Sequence, residues 1–300
     1  MLITQANMIL ETNPSLLGES PFWHPNERKL YWCDILGKKI FRFDPASKAE
    51  ESWSLPQEPG CIAPIKEGGL IVGMRDGIYS FIPTNQELEL LYSSPFNSSK
   101  ERFNDGKCDA LGRLWLGSIY EPKTFENACL YSFQKNGPGF SLNKMARENI
   151  TSNGLAFSPN NQLLYWAHTS KHRIDCYDFY PKTGLISNRR LYKQFPLKGE
   201  EAIYQGRPDG ACIDVEGCYW VAMYEGGKVI KISPSAEVIQ EIHLPTKYPT
   251  MPCLGGVNGK TLFITTAAPK NVQSIEADPL AGKIFVTEVD TPGIPVNFFG

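Results

Sequence analysis

The sequence predicts an all-β fold, a six-bladed β-propeller of four-stranded blades around a central channel. Three observations carry this expectation. Short alternating runs rich in Tyr, Trp, Ile, Leu and Val recur along the chain, separated by Gly, Pro, Asn and Asp turns. Long amphipathic helical patterns are scarce. The alternating runs also share one unit, strand, tight turn, strand, repeated six times at a spacing of roughly forty to fifty-five residues, the period of a propeller blade.

The first copy is "RKLYWCDILGKKIFRFDP", with Leu-Gly-Lys at its turn. "GGLIVGMRDGIYSFIP" repeats it with Arg-Asp-Gly at the turn, and "GRLWLGSI" followed by "ACLYSF" repeats it around a longer insertion. "QLLYWAHTSKHRIDCYDF", "GCYWVAMYEGGKVIKISP" and "KTLFITTAAP" with "GKIFVTEV" complete the set. The copies begin near residues 30, 70, 114, 163, 218 and 261. Each hairpin supplies the two central strands of a blade, the segment before it the innermost strand and the segment after it an outer one. The N-terminal "ANMILET" is expected to join the last blade and close the ring. A stack of β-sandwich domains predicts no unit recurring six times, so the expectation is a single propeller domain over residues 1–300.

Composition narrows the function classes. A formal net charge of −2 gives no basic field for nucleic acid and no polybasic face for a membrane. No apolar run approaches the roughly 20 residues a membrane helix needs, and "MLITQANMILETNPS" does not read as a secretory signal. The eight cysteines contain no C-x-x-C and sit in strand contexts such as "LYWCDI" and "GACIDV", as small apolar residues. A cytoplasmic protein with reduced thiols is expected.

Polar residues interrupt the segments that should be buried inner strands. "LLGESPFWHP" carries Glu19, "ERFNDGKCDALG" carries Arg102, Asn104 and Asp105, "TSNGLAFSPNN" carries Asn153 and "GRPDGACIDVEG" carries Asp209. Each precedes its hairpin by about ten to fourteen residues, and equivalent positions of different blades converge on a propeller's channel. Asn-Gly and Asp-Gly are common turn dipeptides, so Asp105, Asn153 and Asp209 taken singly read as turns. The hairpin turns are already assigned elsewhere, however, and Glu19 shares the phase without being a turn former.

Carboxylates and amide oxygens are hard donors suited to Ca²⁺, Mg²⁺ or Mn²⁺; Zn²⁺ would lack its usual His or Cys. Arg102 is no ligand but a fixed donor for an oxygen-rich substrate. His168 and His172 are four apart, but "YWAHTSKHRI" reads as a hairpin, so the helical metal-pair spacing does not apply. His24 and His243 read as loop or surface residues. No G-x-S-x-G and no phosphate loop occurs.

The motifs "LGESPFWHP…LYWCDI", "RFNDGKCDALGRLWLGS", "SNGLAFSP" and "PDGACIDVEGCYWVA" together resemble the signatures of the SMP-30/gluconolactonase/luciferin-regenerating-enzyme family, in the family's order and over nearly the whole chain. The resemblance implies a propeller that binds one divalent metal ion (Ca, Zn, Mn or Mg) and hydrolyses a small-molecule sugar lactone. It implies Glu19, Asn153 and Asp209 as metal ligands, Arg102 and Asn104 as substrate contacts, Glu121 near another such contact, and Asp209 also as general base. Two departures stand out. Ser20 replaces a frequent Gly after the first glutamate, and His168-Thr169 replaces an acidic residue followed by Ser or Thr. The expected activity is that of an aldonolactonase. A promiscuous metal-dependent esterase or phosphotriesterase, or a non-catalytic calcium- or partner-binding propeller, are the alternatives.

Overall fold

The computed structural model describes residues 1–201, 203–268 and 278–300. It contains six sheets of antiparallel strands arranged as blades. Blade 1 is Gly18–His24, Lys29–Asp34, Lys39–Asp44 and Ala49–Ser54, and blade 2 is Pro59–Pro64, Leu70–Met74, Gly77–Ile82 and Glu87–Ser93. Blade 3 is Glu101–Cys108, Leu114–Tyr120, Ala128–Asn136 and Gly139–Asn149; blade 4 is Ser152–Phe157, Leu163–His168, Arg173–Tyr180 and Leu185–Gln194. Blade 5 is Arg207–Ile213, Tyr219–Tyr224, Lys228–Ile232 and Val238–His243, and blade 6 begins with Pro249–Gly255, Thr261–Thr266 and Phe285–Glu288. The chain is a six-bladed β-propeller. Among the described residues the single helical element is the 3₁₀ turn Thr169–Lys171, and no helix is long and apolar enough to cross a membrane.

Alternation explains why the blades stack. Side chains of a strand point to opposite faces, so Tyr31 and Cys33 pack toward blade 2 while Leu30 and Trp32 pack toward blade 6. Six apolar clusters result, one between each pair of neighbouring blades, and no blade buries both faces without two neighbours. Trp32, Trp115, Trp166 and Trp220 fill these layers from the second strands of blades 1, 3, 4 and 5. In blades 3 and 5 the indole is anchored by a turn aspartate: Trp115 Nε1 donates to Asp109 at 2.9 Å and Trp220 Nε1 to Asp214 at 3.0 Å.

The ring closes at the N-terminus as expected. Met8 and Ile9 pair antiparallel with Val286 and Phe285 and form the outer strand of blade 6. Leu2–Gln5 adds, in parallel, a fifth strand to blade 5, which the sequence did not announce. The C-terminal segment then crosses the end of the channel. Gly293 bridges Asp214 just after the inner strand of blade 5, Asn297 Nδ2 donates to the Cys108 carbonyl of blade 3, and Phe299 bridges Ile65 just after the inner strand of blade 2. All eight cysteines are buried free thiols.

Candidate functional site

The inner strands lose their regular pairing at one recurrent place. The register slips between Glu19 and Phe22, Phe103 and Gly106, Asn153 and Ala156, and Pro208 and Ala211. Shorter slips occur between Pro59 and Cys61 and between Pro249 and Met251 in blades 2 and 6. In blades 1, 3, 4 and 5 two inner-strand residues stand opposite one on the second strand. Such bulges re-aim side chains that would otherwise alternate between the neighbouring blades. Every polar residue picked out by phase lies in or beside one of them. The Asp105-Gly106, Asn153-Gly154 and Asp209-Gly210 pairs are therefore bulges inside strands, not hairpin turns.

Ser20 occupies the bulge of blade 1 with φ 51°, a left-handed conformation that favours glycine. Its hydroxyl compensates by accepting the Ile62 N–H at 2.9 Å, which ties the bulge to blade 2. That accounts for a serine at a backbone position that favours Gly.

The bulges bring side chains from four blades to one end of the channel. Asn104 Nδ2 donates to Asn153 Oδ1 at 2.7 Å and Arg102 Nη1 to Asn104 Oδ1 at 2.7 Å. Asn153 Nδ2 donates to Thr169 Oγ1 at 2.9 Å, and the Asn153 amide favours the ionised form of the nearby Asp209 carboxyl. Glu19, Arg102, Asn104, Asp105, Asn153 and Asp209 are all buried. Burial pushes the Glu19 carboxyl well above its usual range, and the charges of Asp209 and Asp105 push it further. Burial likewise raises Asp209 to about 7, opposed by Arg207 and reinforced by Asp105. Asp105 rises to about 6 through burial, with Lys107 and nearby peptide N–H groups opposing.

Three buried carboxylates facing one another are costly unless a cation joins them. The hydrogen bonding points the same way. Asp105 Oδ2 accepts the Leu155 N–H at 2.8 Å, but Asp105 Oδ1 is buried without a partner. Glu19 accepts only a long 3.3 Å bond from the N–H of its neighbour Ser20. The donor set is all oxygen, with no imidazole or thiolate among the converging side chains, and it fits a hard divalent ion.

A second acidic group, Asp214, Glu216 and Cys218, brings its ligand atoms within 4.8 Å of one another. Its demands are already met. Asp214 accepts the N–H groups of Glu216 and Cys218 and the Trp220 indole, and Lys231 Nζ stands 3.0 Å from Asp214 Oδ2. This group is a turn anchor with a built-in counter-charge.

At the mouth, Glu121 is exposed and tied to Arg75 at 2.9 Å and to Arg102 Nε at 3.5 Å. It thus stands beside a predicted substrate contact. At the opposite end of the channel, under the C-terminal segment, lies a cavity of about 510 Å³ lined by Phe22, Trp23, Phe157, Ile213, Leu254 and Ile294. None of the predicted site residues lines it, and its walls carry Arg28 and Lys107 but neither a carboxylate nor an imidazole to activate water.

The region from 17 to 268 matches the family model described as SMP-30/Gluconolactonase/LRE-like region. The chain belongs to this family. It is 38% identical over 287 residues to 6-deoxy-6-sulfogluconolactonase of Pseudomonas putida, covering 95% of this chain and 96% of that protein. It is 34% identical over 294 residues to regucalcin of Xenopus laevis, covering 95% of each. In fold it is similar to a crystal structure of a calcium-binding regucalcin from Agrobacterium tumefaciens, with a TM-score of 0.92, 22% identity, and coverage of 100% of this chain and 99% of that one.

The departure at His168 from the SMP-30 pattern is resolved by topology. His168 is fully buried within blade 4, with Nε2 3.0 Å from Asp175 and 3.3 Å from Arg189. Burial holds its imidazole below the ordinary value. It does not join the channel cluster. Its neighbour Thr169 does, since Thr169 Oγ1 receives the Asn153 amide and donates to the Pro208 carbonyl at 2.8 Å. Sequence reasoning missed Thr169, whose role depends on blades 4 and 5 being adjacent. His172 is buried too, with Nδ1 2.8 Å from the Pro196 carbonyl. His24 and His243 end strands; the His243 side chain lies at the surface, whereas His24 packs edge-on to Phe298 at 5.3 Å.

Proposed function

We propose that the acidic end of the channel binds one divalent metal ion and opens a sugar lactone of the gluconolactone type to its aldonic acid. The chain is a gluconolactonase-like lactone hydrolase, a carboxylic ester hydrolase, acting as one propeller domain over residues 1–300. The convergence of Glu19, Asn153 and Asp209 from three blades beside Arg102 and Asn104 from a fourth carries this reading. The name of the Pseudomonas relative supports the reaction type, and the calcium-binding regucalcin supports a hard metal ion. Eight unpaired, buried thiols support a cytoplasmic location.

Glu19, Asn153 and Asp209 would hold the ion, with Asp105 adding negative charge behind them. When bound, such an ion polarises a carbonyl and lowers the pKa of water. Arg102 and Asn104 orient the ring hydroxyls of the substrate, and Glu121 holds the Arg102 guanidinium in place. Asp209 takes the proton of the attacking water on a carboxylate oxygen. The water oxygen bonds to the carbonyl carbon, the bond from that carbon to the ring oxygen breaks, Asp209 passes its proton to the departing oxygen as a hydroxyl, and the new carboxylic acid ionises. One proton is released per turnover.

That release provides the test. Five- and six-membered aldonolactones, simple aliphatic lactones, aryl esters and phosphotriesters are supplied to metal-saturated protein, and acidification is followed. Sugar lactones are expected to turn over at kcat/KM at least about 100-fold above simple lactones. Preference for aryl esters or phosphotriesters overturns the substrate assignment, and turnover of none of them leaves a binding propeller.

A further inference from the structure

The mouth of the site carries cations that its own carboxylates do not satisfy. Glu121 is divided between Arg75 and Arg102, and Glu225 between Lys198 at 3.3 Å and Arg207 at 3.6 Å. Lys123 has no ion-pair partner among the described residues, and it is held with a left-handed φ of 55° in the segment after the second strand of blade 3. Arg207 opens the inner strand of blade 5, two residues before Asp209. Its guanidinium carbon lies 5.2 Å from the centroid of the Tyr224 ring, and its Nε is buried without an acceptor. An unmet buried N–H is unfavourable unless a ligand supplies the acceptor. Lost solvation, then the charges of Arg207 and Arg102, hold the Lys123 ammonium below its usual range, opposed by Asp209 and Glu121.

We infer that Arg207 and Lys123 form a subsite for an acidic tetrahedral group, a sulfonate or phosphate, carried by the sugar lactone at the end remote from its reacting carbonyl. The inference rests on the lactonase reading for the orientation of the substrate. Depth sets that orientation. The deep end, where Glu19, Asn153 and Asp209 would hold the ion, takes the reacting carbonyl, whereas the cations of the rim attract an anion, so an acidic lactone enters carbonyl first. Arg207 offers a planar fork to two oxygens, with the Tyr224 ring supporting its other face, and Lys123 supplies a point charge to the third.

The test compares neutral glucono-1,5-lactone with its 6-sulfo and 6-phospho analogues, the two arms separating the two anions. Wild-type kcat/KM is expected to favour at least one acidic lactone by 10-fold or more, and this preference falls as salt screens the rim. Arg207→Gln and Lys123→Gln should each reduce the acidic-to-neutral ratio about 5- to 10-fold, while Arg207→Lys keeps most of it. Calorimetry with the product acids, gluconate against 6-sulfogluconate and 6-phosphogluconate, reads the subsite without turnover. Tighter binding of an acidic product, abolished by Arg207→Gln, supports the subsite even if no lactone is hydrolysed. Equal binding of all three products, or an acidic-to-neutral ratio that neither Gln variant changes, overturns it.

Discussion

Asp209 is asked to do two jobs with one carboxylate: hold a cation and accept a proton from water. Ligation lowers the basicity of a carboxylate, yet the same ion acidifies the water, so little proton affinity is needed. Asp209→Asn keeps an oxygen donor and loses the base. Its metal affinity should weaken but be recoverable, with kcat at full occupancy still down by about 10²-fold or more. Glu19→Gln, a ligand without the second job, should regain most of its kcat at saturating metal. Wild-type turnover by metal-saturated Asp209→Asn would assign the base elsewhere. The raised carboxyls also predict a pH dependence. Metal-free protein holds protons on Asp105 to about pH 6 and on Asp209 to about pH 7, whereas the unfolded chain releases them near 3.9. Over that window the native state binds more protons, so stability falls as pH rises from about 4 to 7. Metal binding should release protons and strengthen across the same range. Thermal midpoints of stripped protein from pH 4.5 to 7.5 check this, and a midpoint that climbs with pH contradicts it. Glu19, Asn153 and Asp209 were legible as candidates because one inner-strand phase recurs. Asp105 showed its unpaired oxygen only once Leu155 was seen to take the other.

The inner-strand bulge is the element that turns a core strand into a ligand carrier. Its cost is visible at Gly154, whose φ is +58° and where a Cβ would lie 2.2 Å from Tyr219 Oη and 2.8 Å from Ala167 Cβ. Gly154→Ala should lose about 2–4 kcal/mol through strain and overpacking together, and metal affinity should fall because Asn153 is the next residue. Gly137, with φ +59° and open space around it, is the control: its alanine variant should cost only about 1 kcal/mol. Urea unfolding of both variants checks the difference, and similar losses would mean that packing at the bulge does not matter. Hairpins such as "GCYWVAMYEGGKVIKISP" were readable because alternation is a local pattern. The bulges were not, because Asp-Gly and Asn-Gly spell a turn and a bulge in the same letters, and only pairing with the next strand decides between them.

At the scale of the whole molecule, the two ends of the channel divide the labour. The N-terminal halves of the inner strands carry the polar cluster, and their C-terminal halves are covered by the chain's last residues. Phe299 is 2% exposed and stacks on Phe133 at 5.6 Å. Phe299→Ala should cost about 3–5 kcal/mol while leaving metal affinity unchanged, as chemical denaturation and calorimetry would read. A parallel loss of affinity would show that the two ends are coupled. Six units, and closure by "ANMILET", were visible in advance because strands without a partner must find one. The parallel strand Leu2–Gln5 and the crossing C-terminal segment were not, since neither repeats the unit and each is specified by contacts with distant blades. Titration of a divalent ion into chelator-stripped protein, with bound metal and proton release from a sugar lactone measured together, tests the central claim most directly. Activity should rise in proportion to bound ion and level off at one per chain. Full turnover in excess chelator, with no metal bound, would contradict it.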